Sequence, residues 1–149
     1  MTRHVLPLYD VHQTAEKMRG LVCRCWADLG PWLWVDFKTF FNHVCLLPYI
    51  PDPADVETIS RPSYTLRREY APRDCDDKAI LIAAWLHGHG IKCRFVASST
   101  RPDREVHHVF CQCENGVYLD ATFPEHYEMM GNYDYFRAVT NLEPLTGWF

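Results

Sequence analysis

The sequence predicts an α+β fold carried by one domain of 149 residues. Three observations point there. The first 47 residues hold two apolar stripes at helical spacing. An eight-residue apolar run, Ala79 to Leu86, follows two aspartates and precedes two glycines. Three β signals come next, and Glu114-Asn115-Gly116 joins the last two as a hairpin. A chain of this length buries roughly 70% of its unfolded surface, enough for one self-supporting core. The expected organisation is a helical part over 1–47, a core over 48–124 and an aromatic segment over 125–149.

The first helix is predicted by Val11, Ala15, Met18, Val22, Trp26 and Leu29 at steps of three and four. Asp10 is its expected cap, Gln13 completes a capping box, and Gly30-Pro31 is the expected stop. Phe37, Phe40, Phe41, Val44 and Cys45 predict a second helix, capped by Asp36 and stopped by Pro48. Residues 48–74 hold five of the ten prolines. They read as a long connection with a short helical turn from Pro62, packed through Tyr49, Ile50, Ile59, Tyr64 and Leu66. The run from Ala79 to Leu86 is too long and too rich in Ala and Leu for a typical strand. A helix over about 75–88 is predicted, and a helix apolar all round is buried all round. Asp74 is its N-cap, Asp77 completes the capping pair and Gly90 ends it. Strands are predicted over Lys92–Ser98, Val106–Cys113 and Val117–Thr122. The last 27 residues are aromatic and only weakly periodic.

Net charge is −4 and the isoelectric point about 6.0. That leaves no electrostatic footprint for nucleic acid. No apolar run approaches the roughly 20 residues needed to span a bilayer. The opening MTRHVLPLYD lacks the apolar stretch of a secretory signal. The expectation is a cytoplasmic protein with neither a nucleic-acid nor a membrane partner. Seven cysteines, an odd number, fit free thiols better than disulfides. Cys23, Cys45 and Cys93 are expected to be small apolar core residues, and Cys23 and Cys25, two apart on a helix, do not face each other. His87, His89, Cys93, His107, His108, Cys111 and Cys113 raise a zinc reading, but their spacing is not that of a four-ligand site. Adjacent His107 and His108 point to opposite faces of a strand. No metal and no cofactor is expected.

Cys75 falls in the first turn of the buried helix. Unpaired N–H groups and the helix dipole favour thiolate there, and thiolate is the nucleophile. A thiol nucleophile needs a base, and the base an orienting group. His108 lies on the second strand and Asp120 on the third, so the hairpin decides whether they meet. With a two-residue loop, Glu114 pairs with Val117, Asp120 opposes Cys111, and His107 shares its face. With a three-residue loop, Cys113 pairs with Val117 and Asp120 opposes Phe110. His108 then stands one diagonal step from Asp120, within side-chain reach. A bulged turn with Gly116 in the left-handed position suits Glu-Asn-Gly. The residues leave both registers open.

Three stretches in order carry a resemblance: Arg-Asp-Cys75-Asp-Asp-Lys-Ala, His-His108-Val-Phe and Tyr-Leu-Asp120-Ala-Thr. Together they resemble the transglutaminase-like cysteine enzymes, a superfamily with a papain-like fold. Tyr-Ile-Pro-Asp-Pro at 49–53 and Arg-Pro-Ser-Tyr-Thr-Leu at 61–66 resemble the lead-in of short bacterial and bacteriophage versions. The resemblance covers about residues 48–124. It implies a Cys75 nucleophile, a His108 base and an Asp120 orienting group, and it favours the three-residue loop. It implies a protein or peptide acyl donor attacked at an amide or ester carbonyl, with a thioester intermediate. A short chain of this kind resembles a peptidase or amidase. The alternatives are a transglutaminase or deamidase acting on protein glutamine, or a non-catalytic binding or structural module. The Cys75 N–H is the expected oxyanion donor, joined by Tyr49. Two positions depart from the family pattern: Arg73 stands for its usual Gly and Ala121 for its usual Pro. Arg73 is expected to alter access to the thiol or to add positive charge beside it. If not folded back, Leu145-Thr-Gly-Trp-Phe149 offers aromatic anchors to a protein partner. A phage origin would imply association with the virion.

Overall fold

The computed structural model describes residues 3–6, 11–53, 57–67, 73–99, 108–123 and 141–149. Asp10, Val106, His107 and residues 125–140, which bear on the readings above, lie outside the described residues.

Strand β1 is Arg3–Leu6 and helix α1 is Val11–Cys25. Ala15, Met18, Leu21 and Val22 form the buried stripe of α1. The α-helix ends at Cys25, a turn before the expected stop at Gly30-Pro31, and Trp26–Trp34 winds on as tight 3-10 turns. Pro31 has no N–H to give the preceding turn and disfavours helical geometry at Gly30, so regular helix cannot run up to it. Gly30 takes the left-handed φ of 55° that glycine tolerates. Leu29 still reaches the core. Helix α2, Phe37–Leu46, is capped by Asp36, which accepts from the Thr39 N–H at 2.9 Å and its hydroxyl at 2.8 Å.

The described residues between 48 and 74 hold more regular structure than a connection. Strand β2, Glu57–Ser60, pairs antiparallel with β1, and helix α3 spans Pro62–Arg67. The Asp28 carboxylate fastens this segment to the 3-10 turns. It accepts from Arg61 Nε and Nη2 at 2.7 Å each and from the Ser63 N–H at 3.2 Å. Those bonds hold its carboxyl below the usual range.

Helix α4, Cys75–Gly88, is the central element and runs as predicted. Asp74 Oδ1 accepts from the N–H groups of Asp76 and Asp77, and Asp77 Oδ2 accepts from the Asp74 N–H, which closes a capping box. Every residue from Asp76 to Leu86 is buried. The helix packs against α1, the 3-10 turns and α2, and also against the sheet strands Cys93–Ser99 (β3) and His108–Cys113 (β4). At Gly88 a Cβ would lie 2.8 Å from the Trp26 ring and 2.9 Å from Leu33, so a glycine is needed for this approach.

With β5, Tyr118–Leu119, and β6, Asn141–Pro144, the sheet order is β5-β4-β3-β6, all neighbours antiparallel. The third predicted strand, Val117–Thr122, shortens to β5. Asp120 Oδ1 accepts from the Thr122 and Phe123 N–H groups at 3.0 and 3.1 Å, and this turn ends the ladder. Strand β6 had no sequence signal. The chain's end is folded back: Cys93 and Phe149 exchange backbone hydrogen bonds, and Leu145 donates to Phe95. Leu145 and Thr146 are buried, whereas Trp148 is 41% exposed with the Arg94 guanidinium 4.2 Å from its ring centre. Among the described residues no helix is long and apolar enough to cross a membrane.

Candidate active site

The hairpin has the three-residue loop. Cys111 pairs with Leu119 and Gln112 with Tyr118, and the Cys113 N–H donates to Val117 at 2.8 Å. The Gly116 N–H returns to the Cys113 carbonyl at 2.9 Å, with Gly116 at φ 93°. In this register His108 and Asp120 share a face. His108 Nε2 lies 2.5 Å from Asp120 Oδ2. Asp120 is only 1% exposed, and its other oxygen holds the Thr122 and Phe123 N–H groups, so the carboxylate is fixed. Phe110 stacks on the imidazole at 5.5 Å and Phe123 meets it edge-on at 4.8 Å. Position, tilt and one ring nitrogen of His108 are therefore all specified.

Cys75 opens α4 and is half-buried. The Val109 backbone favours the anion of its sulfur. Val109 follows His108, so the thiol sits against the start of β4. Sγ also lies 3.7 Å from Asp76 Oδ1. The cap claims the N–H groups of Asp76 and Asp77, not that of Cys75. The helix terminus favours thiolate, and other groups here oppose it. Burial, then the Asp76 and Asp74 carboxyls, push the Cys75 thiol well above its ordinary value. The dipole argument counts only the helix, while burial and the neighbouring carboxyls act against it.

Those charges belong to a larger group. Asp52, Glu57 and Asp74 bring carboxylate oxygens within 4.8 Å of one another, as do Asp74, Cys75 and Asp76 with their donor atoms. Burial, then Asp52 and Glu57, raise the Asp74 carboxyl to about 7. Burial, then Asp74, raises those of Asp76 and Asp77 well above the carboxylate range. The spacing is within reach of one cation, yet each group has partners in the protein. Asp52 accepts from the Thr58 N–H and hydroxyl, Asp74 caps α4, Asp76 Oδ1 accepts from the Cys75 thiol, and Asp77 accepts from the Ser60 N–H at 3.1 Å. We assign no metal there. Sequence reasoning missed Asp52 and Glu57, because only the β1–β2 pairing carries them to α4. Asp76 figured there only as one letter of the Arg-Asp-Cys75-Asp-Asp-Lys-Ala stretch.

Arg73 does not decorate the thiol. It is 2% exposed, and its guanidinium donates to the Thr65 carbonyl at 3.1 and 2.8 Å and to the Pro48 carbonyl at 3.3 Å. Its backbone exchanges two hydrogen bonds with Ile50. The residue clamps the loop that carries Tyr49. Tyr49 itself is 51% exposed, and burial of the ring, then Cys75, Asp74, Asp76 and Asp52, raise its phenol to about 12. It therefore remains an O–H donor at neutral pH.

The other cysteines divide by depth. Cys93, Cys111 and Cys113 are buried, and burial raises the thiols of Cys93 and Cys113 to about 12 and about 11. Cys111 donates to the Ala79 carbonyl at 3.3 Å and so ties β4 to α4. Cys45 is half-buried, and Cys23, expected in the core, is exposed. It lies one step off the buried stripe of α1. Of the residues weighed for zinc, His89 Nε2 meets the Leu33 carbonyl at 2.8 Å and His108 meets Asp120. Compared with family models, with curated proteins and with solved structures, the chain matches none.

Proposed function

We propose that the chain is a cysteine acyl-transfer enzyme in which Cys75 is the nucleophile, His108 the acid–base and Asp120 the orienting group. The observation that carries this is the hairpin register. It sets His108, on the strand that packs on α4, against a buried, fixed carboxylate, and the first residue of α4 is Cys75. With Nε2–H donated to Asp120, Nδ1 is the lone-pair nitrogen of the neutral ring. It takes the thiol proton as sulfur attacks an amide or ester carbonyl. Because the thiol is held neutral at rest, this proton transfer accompanies attack rather than preceding it. The oxyanion is received by the Cys75 N–H and the Tyr49 phenol. His108 returns the proton to the leaving amine, which departs as the carbonyl re-forms and leaves a thioester. Water, deprotonated by His108, then releases the acid and restores the thiol. The reading is a peptidase or amidase of protein or peptide substrates, with Tyr49 and Phe123, both partly exposed, as the rings beside the scissile bond. Transfer to an amine differs only in the second acceptor.

The test is intact-mass spectrometry after brief exposure to a small activated ester, in a Cys23→Ser background that removes the exposed thiol. An acyl adduct on Cys75 that forms and then decays is expected, with none in Cys75→Ser or His108→Ala. Equal labelling of His108→Ala and its parent would overturn the assignment.

A further inference from the structure

A phenol that receives an oxyanion has to be fixed before the reaction. Tyr49 is exposed, and it lies between α2 and β2 where the backbone has no regular structure. What holds it comes from Arg73, whose contacts fall on both sides of it. Arg73 Nη1 donates to the Pro48 carbonyl at 3.3 Å. The Arg73 N–H donates to the Ile50 carbonyl at 2.6 Å, and the Arg73 carbonyl accepts from the Ile50 N–H at 2.9 Å. Nε and Nη2 donate to the Thr65 carbonyl at 3.1 and 2.8 Å, which ties the same guanidinium to α3. The Ile50–Arg73 bridge is antiparallel, so Tyr49 stands across from Asp74, the residue before Cys75. The phenol feels the Cys75 and Asp74 charges, as that placement requires.

We propose that Arg73 is a positioning residue for Tyr49: it grips the residues on either side and holds the phenol where the oxyanion of acyl transfer forms. The inference rests on the reading of Cys75 as an acyl-transfer nucleophile with Tyr49 as a donor, and it adds what aims that donor. The grip depends on the planar guanidinium, which reaches carbonyls of two separate segments at once. A lysine at 73 would keep the charge and the backbone bridge, but its single nitrogen cannot reproduce the fork. Pro48 would then lose its hold, and Tyr49 would be tethered on one side alone. The same geometry specifies which reaction suffers. Acylation passes through a tetrahedral oxyanion, formed as the Cys75 sulfur bonds to the carbonyl carbon. Alkylation by iodoacetamide does not. There the sulfur displaces iodide from a saturated carbon, and the reagent's carbonyl is left as it was. Both reactions use the Cys75 sulfur with its proton removed, but only the first has work for Tyr49.

The experiment reads two rates on Cys75 in the Cys23→Ser chain, acylation by the small activated ester and alkylation by iodoacetamide, with the labelled residue located by peptide mass mapping. Tyr49→Phe should lower acylation by about 10²–10³, the scale for one lost oxyanion donor. Arg73→Lys should lower it by up to about a hundredfold, the cost of misplacing a group by about an ångström. Alkylation should be almost unchanged in both. In the Tyr49→Phe background, Arg73→Lys should have little further effect, because the group it aims is already gone. Arg73→Gln, which keeps an N–H donor for one carbonyl, serves if Arg73→Lys does not fold. Three results would overturn the positioning role: acylation and alkylation that fall together in Arg73→Lys, an equal fall of acylation with and without the Tyr49 hydroxyl, or no fall at all. The two readings fail separately. A parent that is acylated, followed by any of those results, keeps the acyl transfer and loses the role of Arg73. A parent that is alkylated but never acylated loses both.

Discussion

The first turn of α4 and the eight residues after it are consecutive parts of one helix, and both are turned inward. Asp76, Asp77 and Lys78 are 7%, 0% and 3% exposed, hardly more than Ala79 to Leu86. Their burial does opposite things. In the apolar run each side chain removed from water adds stability, about 25 cal/mol per Å². In the first turn burial disfavours the charged forms and must be offset partner by partner. Asp77 has the Ser60 and Asp74 N–H groups, Lys78 the Cys45 carbonyl at 3.2 Å, and Asp76 the thiol. The contrast teaches that the run holds the fold while the turn gives up stability to keep ionisable groups in perturbed states. Groups in perturbed states cluster at functional sites.

The largest effect that would break this division is on chemistry. His108→Ala should lower the rate of Cys75 acylation by about 10⁴ or more, the scale at which triad members fail. Thermal unfolding should move by only a few degrees, because His108 stands at the start of β4 and not in the run. If acylation persists and Tm collapses, the hairpin is structural and the division falls.

The converse substitution is Ile82→Ala. Ile82 is fully buried in the middle of the run. Its truncation should cost about 2–5 kcal/mol, read from a denaturant midpoint at unchanged slope. The pH profile of Cys75 alkylation should keep its shape, since no charge near the sulfur has changed. A profile that shifts with Ile82→Ala would mean that the two stretches are coupled.

A third expectation uses the sign of the carboxyl shifts. Asp74 is raised to about 7, and Asp76 and Asp77 are raised well above their ordinary value. The folded state thus binds protons that the unfolded chain has released. Stability from these groups is full below the unfolded carboxyl value and is lost as pH rises through the folded ones. His43, lowered mainly by burial, has the opposite sign and loses stability below its ordinary value. Tm should therefore be higher near pH 5.5 than near pH 8, by about 2–4 °C for each kcal/mol of net difference. Asp77→Asn should flatten that slope. A Tm that climbs steadily to pH 8 would mean that these carboxyls are ionised in the folded chain.

How much of this was readable in advance follows from the range of the interactions. Helix α4, its Asp74–Asp77 box and the Glu114-Asn115-Gly116 loop are local: residues within a few positions decide them, and the structure has all three. The β1–β2 pair and β6 are short strands whose partners lie far along the chain, and four residues give no period to detect. The candidate triad was readable because its members sit at the ends of local elements. The acidic surroundings of Cys75 were not, because Asp52 and Glu57 arrive through β2. The same failure explains Arg73: only the folded loop shows that carbonyls of Thr65 and Pro48 are what it serves.

The smallest effect sharpens the boundary itself, at Lys78. It is the last ionisable residue before the run, and burial lowers its ammonium below the ordinary lysine value. Its ammonium donates to the Cys45 carbonyl, which couples α4 to the end of α2. The stem already lies among apolar neighbours, so Lys78→Met keeps the volume and removes a desolvated charge. Replacing a buried charge by a well-packed apolar group of similar size is often neutral or stabilising. The expected change in unfolding free energy is within about 1 kcal/mol, and the alkylation profile of Cys75 should be almost unchanged. If instead Lys78→Met unfolds the chain or markedly slows alkylation, Lys78 balances the carboxyls of the first turn. The boundary between the two stretches then belongs after residue 78 for charge as well as for polarity. If stability rises, Lys78 behaves energetically as the first residue of the apolar run.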